Sequence, residues 1–332
     1  MPPYQTIALA GCNGNLGPSI LQALINDAYP FTITILSQTG KSPLPNNLLP
    51  PSIKIQKVDY TSTPSLISAL QGQEALISLL PDFSLQPKLI DAAIVAGVKH
   101  FIPSEFGSNT LHPQTAALPL FRDKISTREY LQSKSREIGW TVIINGLLLD
   151  WGLESGFWMT FPPLPTKIYD DGNVKHSTTL RSHVGKAVVS ILKNPRAATN
   201  HRVLYIQSTA LSQNHILEIF KKRNPGVEIP TVAVRTEEIL EKSLEGFRKG
   251  PGGGGQEFVE AIMGLLIVSI FREGYGNDWS GGNDNSLVGV EELGEEEVEE
   301  VVGRFLADVE GGDGVVGDLK WIESKVLGKE GK

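Results

Sequence analysis

The stretch that decides the fold reads Thr6-Ile7-Ala8-Leu9-Ala10-Gly11-Cys12-Asn13-Gly14-Asn15-Leu16-Gly17, and the amphipathic run from Pro18 to Ile25 follows it. This order predicts a strand, a glycine turn and a helix. Gly11 lets the chain turn off the strand, Gly14 lets the backbone approach a pyrophosphate, and Gly17 lets the helix pack closely on the sheet. The helix N-terminus also offers unpaired N–H groups to phosphate. The stretch therefore predicts a dinucleotide site, with an ordinary strand-to-helix loop as the alternative.

Strands and helices continue to alternate after this turn. Short apolar or alternating runs predict strands at Thr6 to Ala10, Phe31 to Leu36, Ser52 to Val58, Ala75 to Leu80, His100 to Ile102 and Thr141 to Ile144. Such alternation predicts an α/β fold with a doubly wound parallel (Rossmann) sheet, whose ligands lie beyond the carboxyl ends of the strands. We expect a Rossmann domain at 1–150 and a smaller α+β substrate-binding lobe at 151–332, part of which returns to the sheet.

Composition favours a small-molecule partner. The chain has 332 residues, of which 40% are hydrophobic, and its 30 Lys and Arg against 37 Asp and Glu give a net charge of −7. This charge argues against nucleic acid or an anionic membrane as a partner. Neither a signal peptide nor a membrane span is expected, and the single cysteine suits a reducing cytoplasm. No metal site is predicted, and the oligomeric state stays open.

Four further features of the sequence each have two interpretations. The aromatic residues Trp151, Phe157, Trp158 and Phe161 suit the wall of an apolar pocket, although packing of a small lobe explains them nearly as well. Cys12 is expected to be a buried filler rather than a redox-sensitive thiol. The glycine-rich run 250–255 predicts a mobile surface loop rather than a domain linker. The acidic run 291–300 has valines at helical spacing, which favours a solvated helix face over an interaction patch.

The most specific string in the chain is Phe101-Ile102-Pro103-Ser104-Glu105-Phe106-Gly107. Together with the glycine turn it resembles the isoflavone reductase-like enzymes, and more closely the fungal members of the NmrA-like group of atypical short-chain dehydrogenases. Further matching pieces are Gln86 with Leu89 to Ala93, Ala96 to Val98, Lys124 with Arg128, Gly146 with Asp150 to Gly152, Asp171 to Asn173 and Ser177 to Thr179. These pieces span about the first two thirds of the chain, so chance agreement is far less probable than for one motif.

The resemblance implies an NAD(P)H-dependent reductase of a small molecule. The family lysine that moves a proton near the nicotinamide corresponds to Lys124, and a partly dry pocket lowers the pKa of such an amine. The residues that the resemblance and the glycine turn assign to cofactor binding are Gly11, Asn13, Gly14, Asn15, Leu16, Gly17, Ser37, Gln38, Lys41, Asp59, Pro103, Ser104 and Phe106.

A second catalytic motif competes with Lys124. Tyr130 and Lys134 fit the Tyr-x-x-x-Lys pattern of the standard short-chain dehydrogenases. On a helix, Tyr130 lies roughly 120° around from Lys124, so both side chains are not expected to face one nicotinamide. The spacing of Lys124 and Arg128 matches the NmrA-like enzymes, so we expect Lys124 to be catalytic and Tyr130 to pack beneath the helix.

Cofactor preference is where the sequence departs from the family. Gln38 stands where an arginine often binds the 2′-phosphate of NADP, and no acidic residue stands there to favour NAD. Ser37, Thr39 and Lys41 could still hold a phosphate, so NADP is favoured and NAD is possible. Asp59 either faces the adenine amine or caps a turn. His183 replaces a usual family Asp and is expected to be a surface residue at a helix start.

Three functions fit these features. The first is an NADP-dependent reductase of an oxygenated, partly aromatic small molecule, in a tailoring step of fungal secondary metabolite biosynthesis. The second is a redox-neutral isomerase or cyclase on the same fold, because fold and chemistry separate easily. The third is a non-catalytic NAD(P)-sensing regulator, against which the retained Lys124 argues.

Overall fold

The structure, a computed structural model, describes residues 2–41, 49–50, 53–160, 165–195, 199–253 and 255–307. Its strands are β1 (Thr6–Ala10), β2 (Thr32–Ser37), β3 (Lys54–Lys57), β4 (Ala75–Ser78), β5 (His100–Ile102), β6 (Gly139–Ile144), β7 (Leu147–Leu148), β8 (Thr166–Tyr169), β9 (His176–Thr179), β10 (Arg202–Tyr205), β11 (Thr209–Leu211) and β12 (Thr231–Val234).

The α-helices alternate with these strands in the first half and predominate in the second. They are α1 (Gly17–Asn26), α2 (Thr63–Leu70), α3 (Gln86–Val95), α4 (Pro113–Ala116), α5 (Arg122–Ser133), α6 (Leu149–Glu154), α7 (Arg181–Lys193), α8 (Gln213–Arg223), α9 (Thr236–Lys249), α10 (Gly255–Phe271), α11 (Asn285–Val288) and α12 (Glu295–Ala307). None of the helices in the described part of the chain combines the length and the apolar character needed to cross a bilayer.

Seven parallel strands form the main sheet, in the order β10-β6-β5-β4-β1-β2-β3. Helices cover both faces: α1 and α7 supply Leu21, Leu24 and Val188 to one core cluster, whereas α2 and α3 supply Leu70 and Leu89 to the other. Strands buried on both faces need nearly continuous apolar sequence, which explains why β1 and β4 are so apolar. The predicted doubly wound parallel sheet is confirmed.

The second half combines small sheets with helices. A three-stranded sheet has the order β11-β9-β7, and β12 pairs in parallel with β8. A separate core cluster forms between them and the helices around Trp158, Phe220 and Phe271. The strand β10, however, belongs to the main sheet, where it pairs with β6. The boundary at residue 150 stays a prediction.

Of two sequence predictions for the second half, the structure confirms one and corrects the other. The acidic run forms the start of α12, where Val298 and Val302 are buried, so the solvated-face interpretation is confirmed. The glycine run is not a loop throughout, because Pro251–Gly253 forms a 3-10 turn and α10 begins at Gly255. The helices on either side of this run pack closely, since a Cβ added at Gly246 of α9 would lie 3.0 Å from the Cβ of Ala261 in α10.

Candidate active site

The predicted cofactor residues lie at the carboxyl edge of the main sheet. Ala10, Ser37, Ser78 and Ile102 are the last residues of β1, β2, β4 and β5, which lie next to one another in the sheet. Parallel strands end at the same edge, so the segments that follow them converge there. The glycine turn, the segment 37–41 and the segment 103–107 are three such segments.

The three glycines of the turn have different surroundings. A Cβ added at Gly11, whose φ is +77°, would lie 2.6 Å from the carbonyl carbon of Leu79, and one added at Gly17 would overlap the backbone of Cys12. Both glycines are therefore required by the packing of the protein itself. A Cβ added at Gly14 would meet only the Gly11 carbonyl oxygen, at 3.7 Å. The open space at Gly14 fits the approach of a ligand.

The start of α1 fits a phosphate group. Leu16 is the N-cap of this helix, and its apolar side chain makes no capping hydrogen bond. Asn13 is exposed and Asn15 is half-buried in the turn that leads to it. Free N–H groups at a helix N-terminus, next to backbone that carries no side chain, suit a pyrophosphate. The residues present therefore fit a dinucleotide.

A buried glutamine adds a polar group at the same edge. The Gln86 side chain donates from Nε2 to the Ser78 hydroxyl at 2.8 Å, at the carboxyl end of β4. Its Oε1 is buried and has no hydrogen-bond partner among the described residues. A buried acceptor without a partner is costly, so a ligand donor or a water would stabilise it.

In segment 37–41, which follows β2, two hydroxyl groups accept hydrogen bonds from the segment's own backbone. Ser37 is buried, and its Oγ accepts from the Gly40 N–H at 3.1 Å. The Thr39 hydroxyl accepts from the Lys41 N–H at 3.2 Å. Gln38 and Lys41 are exposed. The side chains of Ser37 and Thr39 thus hydrogen-bond to the backbone of this segment, whereas those of Gln38 and Lys41 extend to the surface, where a 2′-phosphate could reach them.

Asp59 makes the turn that follows β3. Its Oδ1 accepts from the N–H and the hydroxyl of Thr61, at 2.8 Å and 2.6 Å, and these hydrogen bonds lower the pKa of the carboxyl. The turn-cap interpretation is therefore confirmed. A contact of Asp59 with adenine stays a prediction.

Lys124 lies in the first turn of α5 and points at the segment after β5. Its Nζ donates to the carbonyl oxygens of Glu105 and Phe106, at 3.1 Å and 3.0 Å. It also lies 5.4 Å from the centre of the Phe83 ring. A Cβ added at Gly107 would lie 3.7 Å from the same nitrogen. Lys124 thus contacts the Pro103 to Gly107 segment directly.

Burial lowers the pKa of the Lys124 amine. Desolvation lowers its pKa from 10.5 to about 8, although the charge of Glu105 acts in the opposite direction. A neutral amine has two N–H groups and a lone pair, whereas the ammonium has three N–H groups. The two carbonyl contacts can therefore persist in both forms, and the third position either donates or accepts a proton.

A buried ion pair supports the segment that Lys124 contacts. Arg128, one turn along α5, places Nη1 at 3.3 Å from a carboxylate oxygen of Glu105, which is 1% exposed. Thr110 joins both residues, because its hydroxyl accepts from Arg128 at 2.6 Å and donates to Glu105 at 3.1 Å. Burial raises the pKa of Glu105, while the charges of Lys124 and Arg128 oppose this rise.

Tyr130 faces a different helix. Its hydroxyl donates to Asp91 of α3 at 2.5 Å, and this contact, with burial, raises the pKa of Tyr130 to about 12. Lys134 lies 5.8 Å from the Tyr130 ring centre. The expected packing of Tyr130 away from Lys124 is confirmed, since its contacts are with α3 and with the core cluster on that face.

Cys12 and His183 are both less exposed than a surface position would make them. Cys12 is 3% exposed and burial raises its pKa to about 12, so the filler interpretation is confirmed. His183 does lie at a helix start, but the expected surface position is wrong: it is half-buried, and its Nδ1 lies 2.8 Å from the Ser208 hydroxyl. The neighbouring loop carries that buried hydroxyl toward α7, which the sequence alone does not reveal.

Three of the four aromatic residues pack in or against the core of the second half. Trp158 is 1% exposed and packs in the core of the second half, as the packing alternative predicts. Trp151 and Phe157 are half-buried, with ring centres 5.4 Å apart. Phe161 lies outside the described residues.

Sequence reasoning missed the roles of Glu105, Thr110 and Phe83. Glu105 stands inside the most specific string of the chain, and this position was the available signal. Thr110 and Phe83 have no such signal, because their contacts with Arg128 and Lys124 depend on how loops from two strand ends meet.

Comparison with known proteins gives a consistent result. The model of the NmrA-like family matches residues 3–262. The chain is 31% identical over 280 residues to oxidoreductase aprR of Aspergillus flavus, covering 82% of this chain and 89% of that protein. It is 27% identical over 256 residues to an isoflavone reductase homolog of Zea mays, covering 72% of this chain and 80% of that protein.

A solved structure of leucoanthocyanidin reductase from Vitis vinifera with NADPH has the same fold, with a TM-score of 0.69 and 20% identity, covering 91% of this chain and 99% of that chain. The predicted enzyme class, an NAD(P)H-dependent reductase of the isoflavone reductase-like type, is confirmed by the relatives. This chain belongs to the NmrA-like family.

Proposed function

We propose that this protein is an NADPH-dependent reductase of an oxygenated, partly aromatic small molecule, and that Lys124 is its acid and base. The observation that carries the proposal is the half-buried Lys124, whose amine is held by two carbonyl oxygens beside the edge where the glycine turn lies. We further propose that it acts in the cytoplasm, in a tailoring step of secondary metabolite biosynthesis, as its similarity to a fungal oxidoreductase suggests.

The cofactor would be held by the residues of the sheet edge. The backbone at Gly14 and the N-terminus of α1 would bind the pyrophosphate, with Asn13, Asn15, Leu16 and Gly17 forming the rest of the turn. Gln38 and Lys41 are proposed to face the 2′-phosphate, and Ser37 to hold their loop in shape. Pro103, Ser104 and Phe106 would contact the nicotinamide half. When bound, NADPH supplies the hydride.

Lys124 is proposed to move the proton of the reaction. In the direction of reduction, its third N–H position would donate a proton to the substrate oxygen that becomes negative, and the neutral amine would remain on the same two carbonyls. In the reverse direction the lone pair would accept the hydroxyl proton. Because the pKa of Lys124 is lowered to about 8, both forms are populated near neutral pH.

Aromatic side chains support the proposed substrate class. The Phe83 ring lies against the Lys124 amine, whereas the half-buried Trp151 and Phe157 pack on the core cluster around Phe271. Apolar walls with a few convergent polar groups are typical of small-molecule sites. Phe83 is thus proposed to contact the substrate.

The test is turnover of NADPH by matched variants. We expect the purified enzyme to oxidise NADPH with at least one member of a panel of phenolic ketones and enones. Lys124→Met should lower kcat by roughly 100-fold or more while NADPH still binds, the usual range for loss of an acid or base. Tyr130→Phe and Lys134→Met should retain activity.

Each alternative predicts a different result. Binding of NADPH without oxidation by any substrate, in the presence of a stable protein partner, would favour the sensor. Formation of product without added cofactor would favour the redox-neutral enzyme. Loss of turnover in Tyr130→Phe with full activity in Lys124→Met would contradict the assignment of Lys124.

A further inference from the structure

Glu105 contacts helix α5 through both its main chain and its side chain. Its carbonyl oxygen accepts from the Lys124 amine at 3.1 Å, and its carboxylate lies 3.3 Å from Nη1 of Arg128. Lys124 and Arg128 are one turn apart on the same face of the helix. One residue therefore contacts both the amine that is proposed to move the proton and the guanidinium that follows it on α5.

The Glu105 carboxylate is held from more than one side. The Thr110 hydroxyl donates to it at 3.1 Å and itself accepts from Arg128 at 2.6 Å. Nη2 of Arg128 also donates to the Thr110 carbonyl oxygen at 3.3 Å. A buried carboxylate with these contacts has one orientation, and the main chain of Glu105 is fixed together with it.

Main-chain hydrogen bonds fix the two ends of the same segment. The Glu105 N–H donates to the Pro103 carbonyl oxygen at 2.8 Å, and the Gly146 N–H donates to that of Gly107 at 2.9 Å. The two carbonyl oxygens that hold the Lys124 amine lie between these bonds. The ends of the segment are thus fixed by its backbone, whereas its middle is fixed by the Glu105 side chain.

Among the described residues, Glu105 is the charged group that acts on the Lys124 amine. Desolvation lowers the pKa of Lys124, and the charge of Glu105 opposes this fall by favouring the ammonium form. Burial raises the pKa of the Glu105 carboxyl, and the charges of Lys124 and Arg128 oppose that rise. The other charged side chains of the adjoining elements are exposed or hydrogen-bonded elsewhere, namely Arg122, Asp123 and Glu129 of α5, Asp82 before the 3-10 turn at Phe83, and Lys88 and Asp91 of α3.

We propose that Glu105 is a positioning residue for Lys124, whose carboxylate fixes the two carbonyl oxygens at the amine and keeps the ammonium form available for proton donation. This inference rests on the proposed function of Lys124 as acid and base. An ion pair that only stabilised the fold would not influence the protonation of Lys124. The two roles of the pair can therefore be separated by experiment.

The first test is the pH profile of reduction in Glu105→Gln, which keeps the shape of the side chain but removes its charge. Because reduction requires the ammonium form, the fall in kcat/KM that the parent enzyme shows above about pH 8 should begin about one pH unit lower. Glu105→Asp keeps the charge but shortens the side chain. It should retain the parental break, while kcat falls by about tenfold or more because the carbonyl oxygens move. Asp27→Asn removes the carboxylate that pairs with Lys193 and should change neither quantity.

A double variant separates the protonation of Lys124 from folding. Glu105→Gln leaves the buried Arg128 guanidinium without a charged partner, which destabilises the fold. Adding Arg128→Met removes that guanidinium, so stability should be partly recovered while the charge beside the amine stays absent. The break of the double variant should therefore remain at the lower pH.

Trace labelling with acetic anhydride over the same pH range measures the protonation of Lys124 without turnover, because only the neutral amine reacts. Mass spectrometry of the peptide that carries Lys124 should show a lower pKa in Glu105→Gln than in the parent protein and in Asp27→Asn. The same labelling difference in a parent protein that reduces no substrate would contradict the proposed function and still support the link between Glu105 and the amine. An unchanged pKa of Lys124 in Glu105→Gln, or an equal fall in Asp27→Asn, would overturn the role of Glu105.

Discussion

The Arg128 guanidinium contacts both carboxylate oxygens of Glu105, at 3.3 Å and 3.4 Å, and both side chains are almost fully buried. Glu105 belongs to the segment whose carbonyl oxygens hold the Lys124 amine. The ion pair and the Lys124 hydrogen bonds therefore connect two neighbouring turns of α5 to the same five-residue segment. Loss of the ion pair should affect both the stability of the fold and the position of the amine.

Arg128→Met should lower the free energy of unfolding by about 3–5 kcal/mol, the usual cost of leaving one member of a buried ion pair without its partner. Urea denaturation measures this change. Arg122→Met, an exposed position on the same helix, is the matched control and should change little. Adding Glu105→Gln to Arg128→Met should recover part of the loss, because no uncompensated charge then remains. Failure to recover any of it would contradict the ion-pair explanation.

The pH dependence of reduction should report the Lys124 amine. Its pKa is lowered to about 8, and reduction requires the ammonium form, so kcat/KM should be constant below this pH and fall above it. The oxidation of an alcohol substrate should show the opposite slope. The residual rate of Lys124→Met should lack the break. A profile that stays flat well above pH 8, or an identical break in Lys124→Met, would contradict the role of this amine.

Substitutions at two glycines of the turn should affect different properties, folding at Gly17 and NADPH binding at Gly14. Gly17→Ala should prevent correct folding, because the new Cβ would overlap Cys12. Gly14→Ala should fold normally, because the added Cβ would meet only the Gly11 carbonyl oxygen at 3.7 Å. It should weaken NADPH binding by about tenfold, or about 1.4 kcal/mol, because the new methyl group would occupy the space proposed for the pyrophosphate. Gly252→Ala, with nothing within 4 Å, is the control for both. Equal NADPH affinity in Gly14→Ala and the parent protein would argue against a pyrophosphate at this turn.

Cofactor preference should depend on Lys41. The hydroxyls of Ser37 and Thr39 accept hydrogen bonds from the backbone of segment 37–41, and the Lys41 ammonium is the charged group that this segment itself offers to a 2′-phosphate. Lys41→Glu should therefore reduce the ratio of NADPH to NADH affinity by about tenfold or more, through loss of a charge-assisted contact and gain of repulsion. Lys54→Glu, at an exposed position of β3, should keep the ratio. Fluorescence titration with both cofactors decides the question.

Much of the first half could be predicted from local pattern. The runs Thr6 to Ala10 and His100 to Ile102 match β1 and β5 residue for residue, because buried parallel strands leave a continuous apolar signature. The start of α5 near Lys124 and the burial of Cys12 were also predictable. The third strand has bounds at Lys54–Lys57, so the predicted residues Ile53 and Val58 lie outside it, and the predicted start at Ser52 falls outside the described residues.

The contacts that shape the site were harder to predict. The link from Arg128 to Thr110 joins a helix to an irregular loop, and no periodicity records it. The half-burial of His183 depends on the Ser208 hydroxyl, which lies 25 residues away in sequence. The close packing of α9 on α10 was likewise not predictable, because the part played by Gly246 and Gly264 becomes visible only where the two helices meet.

The return of β10 to the main sheet has a consequence for dissecting the protein. β10 is the last strand of the sheet on the β6 side, and its residues Arg202 to Tyr205 pair with Thr141 to Ile144. A fragment that ended near residue 150 would expose the backbone groups of β6 along an apolar edge, which invites aggregation. During synthesis, the nucleotide-binding half would therefore wait for some 55 further residues, from 151 to 205, before its sheet could close.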